Sequence, residues 1–448
     1  MAKDQDMTTG NPFKLILSFS SSMIFGNIFQ QLYTVVDSII IGKKIGALGI
    51  AAIGGTDWLI FLVTASLIGL IQGFSVLLGN KYGEKNEQAF YYYYKKAQTI
   101  CIIISILLTP ILLICLRPFL NLISTLPEAF DYAYTYTAVI FAGIPFLIFY
   151  QFFAATLRSR GNSHIPLLAM TISSLCNIVL DLLFICIMHL GVAGAALGTI
   201  LSECLVMIIC GYHVLKIKSI KEKIGRNDYS EKHIFHKLIS TGLPMAIQSI
   251  ITAIGGLIVI RNVNMFGIDF LSGYNIGGKI YALLEIAASS YGMAIVAYVS
   301  QNYGVKKIDR IHSGVKSALL LGIVTALICS FIMIFFGETS MKLFVEADKT
   351  SPMAFSYGCQ YLLIIGLFYP LLYTLYIVRA ALQGIGNTIT PMISSAAQLL
   401  MRVLCATIMT KIIGYTGIFY GEVTAWILAD LILFVVYFHE IRNKVKTL

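Results

Sequence analysis

Two stretches decide how this chain is built: Leu157-Arg158-Ser159-Arg160-Gly161-Asn162-Ser163-His164-Ile165-Pro166 and Leu382-Gln383-Gly384-Ile385-Gly386-Asn387-Thr388-Ile389-Thr390-Pro391. Both read L-x-x-x-G-N-[ST]-x-x-P, and the second follows the first at an offset of 225 in a chain of 448 residues. Working outward, Pro145 corresponds to Pro370 at the same offset. Gly191-Val192-Ala193-Gly194 corresponds to Gly414-Tyr415-Thr416-Gly417 at 223, and Lys14-Leu15-Ile16 to Lys237-Leu238-Ile239 at 223. Asn80-Lys81-Tyr82-Gly83 resembles Gln301-Asn302-Tyr303-Gly304 at 221. Ordered matches at a nearly constant offset, close to half the chain, mean an internal duplication.

What is duplicated is a membrane domain. Hydrophobic residues make up 58% of the chain and charged residues 12%, against roughly a quarter charged in soluble domains, and the mean hydropathy is +0.82. Apolar runs of the roughly 20 residues needed to cross a bilayer are expected at 13–41, 51–78, 89–116, 131–156, 164–188, 191–215, 234–261, 270–300, 311–336, 353–380, 389–412 and 416–440. The expected fold class is therefore all-α integral membrane, with twelve transmembrane helices. Six spans per half is an even number, so both halves start on the same side and the repeats are parallel. The expectation is an N-terminal six-helix lobe over 1–215, a cytoplasmic linker over 216–233 and a C-terminal six-helix lobe over 234–448. Two such lobes would form a V around a central cleft, the architecture of alternating access.

The net charge of +10 does not point to nucleic acid, because of where the 32 basic residues fall. With a cytoplasmic N-terminus, 23 lie in inside segments or toward the inner ends of spans and 7 in outside segments or at outer ends, while Lys279 and Arg402 lie deep within spans. That asymmetry places both termini in the cytoplasm of a multi-pass protein of the cell (inner or plasma) membrane. The first apolar run is too long for a signal-peptide core and carries Asp37, so it reads as a retained helix. The nine cysteines stand singly inside apolar runs, with no metal-ligand spacing, and read as small core hydrophobes. Pro145 and Pro370 are expected to kink the helices that carry them.

An ionisable group in mid-membrane costs about 2.5–3.5 kcal/mol on insertion scales, so each needs a partner or a purpose. Asp37 and Asp181 rank first. Asp181 stands one turn after Asn177, on the same helix face, and Asp37, Asn177, Asp181 and Thr199 fall at similar depth in the outer half of the membrane on helices one, five and six. Two carboxylates, an amide and a hydroxyl supply the oxygen ligands that a hard cation prefers; without a metal, two close carboxylates can share a proton. At the repeat offsets Asp37 maps to Ile260, Asp181 to Ala406, Asn177 to Arg402 and Thr199 to Glu422. The cluster is thus not duplicated, and Arg402 with Glu422 is expected to form a structural ion pair in its place. Candidate cavity residues are Asp57 and Trp58 on helix two, Phe149 and Phe153 on helix four, Lys279 and Glu285 on helix eight, and Tyr373 and Tyr376 on helix ten, whose rings could face organic cations. For each, an ordinary packing or interfacial role competes with this one.

The parallel duplication, the stretch Gln30-Gln31-Leu32-Tyr33-Thr34-Val35-Val36-Asp37, the Gly-Asn-Ser-x-x-Pro and Gly-Asn-Thr-x-x-Pro loops, and Asn177 with Asp181 together resemble the MATE (multidrug and toxic compound extrusion) transporters over essentially the whole chain. The resemblance implies a monomeric V-shaped antiporter with no cofactor. It would expel small-molecule substrates, organic cations or amphipathic drugs, in exchange for H+ or Na+, with Asp37, Asn177, Asp181 and Thr199 as the coupling-cation site and membrane lipids as its surroundings. The alternative is a lipid-linked oligosaccharide flippase of the same broad superfamily, disfavoured because only Lys279 and Arg402 are basic deep within the spans. No G-x-x-x-x-G-K-[ST], H-E-x-x-H or G-x-S-x-G occurs, so neither an ATPase nor a hydrolase is expected. Acids confined to one half, with no symmetric ring of ligands, argue against a channel.

Overall fold

The computed structural model describes residues 4–122, 127–222, 231–344 and 351–446, and every regular element among them is helical. In chain order these are α1 (Pro12–Lys44), α2 (Ala47–Gly83), α3 (Glu87–Leu122), α4 (Phe130–Ala142), α5 (Ile144–Ser159), α6 (His164–Asp181), α7 (Gly191–Leu215), α8 (Lys218–Lys221), α9 (Glu231–Asn264), α10 (Ile268–Gly304), α11 (Ile308–Phe344), α12 (Pro352–Gly384), α13 (Ile389–Leu404), α14 (Thr410–Ile413) and α15 (Thr416–Lys446). A 3-10 turn, Pro127–Ala129, precedes α4, and π-helical segments Leu182–Ile187 and Cys405–Met409 continue α6 and α13. Among the described residues, eleven helices are long and apolar enough to cross a membrane, or twelve if a bent pair counts as one span.

That pair is Pro127–Ala142 with Ile144–Ser159, bent by 45°, where the sequence predicts a single span over 131–156. Pro145 stands in the first turn of α5, where its missing N–H leaves no hydrogen bond unmade. Gly143 at the break lies hard against α7: a Cβ there would come 2.4 Å from Ile200 Cγ1. Pro370, its repeat partner, sits inside the unbroken α12. One duplicated proline thus starts a helix and the other interrupts the bonding ladder of one.

Other backbone features do recur at the repeat offsets. Gly46 and Gly267 take φ 88° and 90°, Lys85 and Lys306 56° and 57°, and Gly191 and Gly414 56° and 69°. The opening motif is a helix-stop and helix-start device used twice. Gly161 and Gly386 adopt left-handed φ of 76° and 89°, the conformation glycine accepts most easily. Gly161 N donates to Arg158 O (2.9 Å) and Asn162 N to Leu157 O (3.0 Å); Gly386 N donates to Gln383 O (2.9 Å) and Asn387 N to Leu382 O (3.0 Å). These are the paired bonds that close a helix C-terminus. The same asparagines then cap the next helix: Asn162 Oδ1 accepts from Ile165 N (3.2 Å) and Asn387 Oδ1 from Thr390 N (3.1 Å).

The contacts gather the chain into two compact units, Met1–Asp6 with Phe25–Ala246, and Met7–Ile24 with Ile247–Leu448. The units therefore divide within α1 and α9, while the expected linker at 216–233 falls inside the first; its residues 223–230 lie outside the described ones. Polar contacts explain where the N-terminal segment goes. In the second unit Met7 N donates to Gln301 Oε1 (2.8 Å), Asn302 Nδ2 donates to Met7 O (3.0 Å) and Lys307 Nζ to Thr8 O (2.9 Å). In the first unit, Gln5 N donates to Arg160 O (3.2 Å), and Arg160 pairs with Asp4 at 2.8 Å. Gly73 on α2 meets Gly242 on α9 so closely that a Cβ on the former would lie 2.4 Å from the latter's Cα. The nine cysteines are all free.

Candidate functional site

In the first unit three helix faces bring polar side chains together. Gln30, Tyr33 and Asp37 follow one another at three- and four-residue steps along α1; Ser173, Asn177 and Asp181 do so along α6, and Thr199 and Glu203 along α7. Such spacing keeps each set on one face. Asn177 and Asp181 are fully buried and Asp37 is half-buried. The carboxyl groups of Asp37 and Asp181 are close enough to interact directly. Yet Asp37 Oδ1, both carboxylate oxygens of Asp181 and both amide atoms of Asn177 are buried without a well-formed hydrogen bond. Buried polar atoms are nearly always partnered, so orphans collected in one place single this cluster out as a candidate site.

Two local features hold Asp181 there. It is the last residue of α6 before the backbone widens into the π segment Leu182–Ile187, a distortion that often marks functional positions. Across from it, Gly198 on α7 supplies the space: a Cβ there would stand 2.3 Å from Asp181 Oδ1. Thr199, the next residue, is half-buried, and its Oγ1 donates to Ala195 O (3.2 Å), leaving its lone pairs available.

Residues that sequence reasoning passed over extend this cluster. Glu203 stands one turn after Thr199, and a small cavity joins Thr199 and Glu203 to Gln30, Tyr33, Tyr150 and Ser173. Its signal in the sequence is the one that picks out Asp37 and Asp181, an acid inside a predicted span. Tyr136 on α4 lies within electrostatic reach of Asp37, Asp57, Asp181 and Glu203, and nothing in the sequence distinguishes it from the other 24 tyrosines among the 25 present. Asp57 is exposed, and Trp58 packs edge-on against Phe61 at 5.8 Å. Phe149 and Phe153 pack against the apolar core, 5.8 Å apart, with Phe153 also against Gly211 of α7.

The second unit treats its buried charges differently. Arg402 Nη2 lies 2.7 Å from Glu422 Oε2, with both side chains largely buried. Tyr376 donates its hydroxyl hydrogen to Glu285 Oε1 (2.8 Å), and its ring receives Arg379 at 5.8 Å. Lys279 is exposed and forms no ion pair with Glu285. Tyr373 is fully buried, its hydroxyl donating to Leu284 O (3.0 Å), so it is part of the packing of α10 against α12. Asp430 on α15 accepts from Thr374 Oγ1 (2.7 Å), a buried acid that sequence reasoning also missed.

Comparison with known proteins adds an independent line. A model of the family described as MatE matches residues 22–183 and 244–408, one copy in each half of the chain. The chain is similar to "Probable multidrug resistance protein YpnP" of Bacillus subtilis, 25% identical over 86% of this chain and 85% of that protein. It is similar to "Probable multidrug resistance protein YoeA" of the same organism, 24% identical over 84% and 82%. A solved structure described as the outward-facing conformation of a multidrug resistance MATE family transporter of the MOP superfamily superposes with a TM-score of 0.90 at 21% identity, covering 99% of this chain and 98% of that one.

Proposed function

This chain belongs to the MatE family, and from that premise we propose that it is a secondary active antiporter, exporting organic cations or amphipathic drugs in exchange for H+ or Na+ by alternating access. One observation carries the reading: Asp37, Asn177 and Asp181 gather buried, unpartnered polar atoms at one place in the first unit. The curated relatives' names as multidrug resistance proteins support the substrate class. In the same reading the chain works as a monomer in the cell membrane with both termini in the cytoplasm, its halves acting as two six-helix lobes.

The chemistry follows from the cost of charge. Two carboxylates held in a membrane-spanning bundle, each costing about 2.5–3.5 kcal/mol on insertion scales, are poorly satisfied by one another. A monovalent cation bound by Asp37, Asn177, Asp181 and Thr199, or a proton shared by the two carboxylates, relieves that cost. Occupied and vacant forms then favour different conformations, and an ion can shift that balance only by its differential affinity for the two states. Exchange arises when substrate is favoured by the conformation that the ion disfavours.

The test uses purified protein in proteoliposomes, with ethidium or norfloxacin efflux followed under separate sodium and pH gradients. The wild type is expected to respond to one gradient, and Asp37→Asn or Asp181→Asn to lose gradient-driven efflux while remaining in the membrane at normal abundance. Coupled efflux retained in both variants would end the assignment.

A further inference from the structure

A cavity of about 1300 Å³ opens in the first unit away from the acidic cluster. The first two turns of α6 and the last turn of α7 wall it, together with α1 at Phe25 and Phe29 and the end of α5. It therefore lies at the opposite ends of α6 and α7 from Asp181 and Thr199. In the proposed topology these ends face the cytoplasm. Pockets for drug-sized molecules hold about 300–1000 Å³, so this one has room for something larger.

The two ends of the cavity differ in chemistry. Lys216, just after α7, and Lys218, on α8, line the outer end, and neither forms an ion pair among the described residues. Lys216 gives one hydrogen to the Tyr212 hydroxyl, and an ammonium has three. Arg160 also stands in the wall, but its charge is spent on Asp4 at 2.8 Å and Glu87 at 3.5 Å. Asp4 lines the cavity too, so it and Arg160 cancel and the charges of the two lysines remain. His213 donates Nδ1–H to Ile209 O (2.9 Å), which leaves the neutral ring no hydrogen for an anion. Toward the middle of the helices the wall is apolar, with Phe25, Phe29, Leu167 and Leu168. Thr171, the lining residue furthest along α6, gives its hydroxyl hydrogen to Leu167 O (2.9 Å).

Leu168 is also the start of a stripe of exposed side chains along α6, continued by Ile172, Leu175 and Val179. On α7, Leu201, Ile208, Tyr212 and Leu215 form another at helical spacing. On membrane-spanning helices such a stripe is the side that meets acyl chains, which are as apolar as leucine. The cavity thus opens along a lipid-facing side, with its charge at the helix ends and its apolar wall at the depth of the chains. Tyr212 marks the boundary: its ring centroid lies 3.9 Å from Lys216 Nζ, an arrangement suited to the level of the headgroups.

We infer that this cavity is a binding site for an anionic phospholipid, its phosphate held by Lys216 and Lys218 and its acyl chains lying along Phe25, Phe29 and Leu168. Basic pockets between membrane helices suit such headgroups. A zwitterionic lipid brings its own ammonium to the lysines, and an organic cation, the substrate class proposed above, meets the wrong sign of charge. The inference uses the proposed topology only to name the leaflet, the cytoplasmic one.

Native mass spectrometry of the detergent-purified protein, titrated with phosphatidylglycerol or phosphatidylcholine, reads the site directly. Phosphatidylglycerol is expected to bind the wild type at least about tenfold more tightly. Both lysines are exposed, so the Lys216→Gln/Lys218→Gln double variant should fold normally and bind phosphatidylglycerol about thirtyfold more weakly, about fivefold for each charge removed. Lys221→Gln, on the same short helix but outside the wall, should bind as the wild type does. Leu168→Trp, which fills the apolar end and alters no charge, should weaken phosphatidylglycerol binding as well. Equal affinity of the wild type for the two lipids, or a loss in Lys221→Gln matching the double variant, would overturn the inference in favour of general attraction to a basic surface. Displacement of bound phosphatidylglycerol by an equal concentration of glycerol 3-phosphate would overturn it in favour of a free-anion site. No substrate or gradient enters the measurement, so its failure and failure of the antiport reading are distinguishable.

Discussion

The two units take the same duplicated frame to opposite electrostatic ends. In the first, Asp37, Asn177 and Asp181 present buried polar atoms with no hydrogen-bond partner among the described residues. In the second, the positions matching Asn177 and Thr199 hold Arg402 and Glu422, paired at 2.7 Å. The backbone around them is alike. A π segment follows α6 at Leu182–Ile187 and α13 at Cys405–Met409, and Gly198 and Gly421 stand at corresponding places on α7 and α15. Duplication therefore supplied a local geometry, and the side chains decided its use. An internal cation completes the second cluster, while in the proposed reading the first takes one from outside.

That contrast breaks most visibly in stability. Removing one member of a buried pair leaves an uncompensated charge, at about 3–5 kcal/mol, whereas removing both avoids the penalty. Arg402→Met or Glu422→Gln should each lower the thermal unfolding midpoint sharply, and the double variant should regain much of the loss. In the first unit the sign reverses: Asp181→Asn removes a charge that has no partner, so the protein without sodium at neutral pH should be as stable as the wild type or more so. Additive single and double effects in the Arg402–Glu422 cycle, or an Asp181→Asn variant that unfolds as readily as Arg402→Met, would show that both clusters are structural.

A smaller effect comes from the matched glycines. A Cβ at Gly198 would lie 2.3 Å from Asp181 Oδ1, while one at Gly421 would meet Cys405 Cβ at 3.1 Å. Alanine at Gly198 must displace the carboxylate, and overpacking of this kind costs about 1–3 kcal/mol; the expected readout is a large rise in the ion concentration needed for half-maximal efflux. Alanine at Gly421 needs only a slight shift of the cysteine, and the better helix propensity, about 1 kcal/mol over glycine, works in its favour. Gly421→Ala should transport normally. Equal damage from the two substitutions would mean that helix packing, rather than the Asp181 carboxylate, sets the sensitivity at Gly198.

Much of this was legible in the sequence, for reasons tied to particular residues. The loop motif could be read because its glycine, asparagine and leucine each do a backbone job, and those jobs recur wherever a helix stops and another starts. Arg402 and Glu422 could be read because the repeat offset carried them onto Asn177 and Thr199, at equal depth. The break at Gly143 could not, since Pro145 and Pro370 look alike in sequence; what separates them is the approach of Ile200 to Gly143, a contact across helices. The division of α1 at Ile24 and of α9 at Ala246 was hidden for the same reason, as long-range contacts such as Met7 to Gln301 and Gly73 to Gly242 determine it. Glu203 and Asp430 were open to the same argument as Asp37, since each is an acid inside a predicted span. Tyr136 needed the fold.

The mildest way to sharpen the comparison is at Thr199, the one member of the cluster that is already hydrogen-bonded. Its Oγ1 gives its hydrogen to Ala195 O at 3.2 Å, so all it can add to a bound cation or to a protonated carboxyl is a lone pair. Losing one neutral acceptor of this kind costs about 0.5–1.5 kcal/mol net, which is at most roughly a tenfold change in affinity. Thr199→Ala should therefore raise the ion concentration for half-maximal efflux by several fold and leave the maximal rate nearly intact. Thr199→Ser, which keeps the oxygen, should match the wild type, and Thr199→Val, which keeps the shape without the oxygen, should match alanine. A valine variant indistinguishable from the wild type would remove Thr199 from the ligand set and leave the two carboxylates and Asn177 to hold the ion alone.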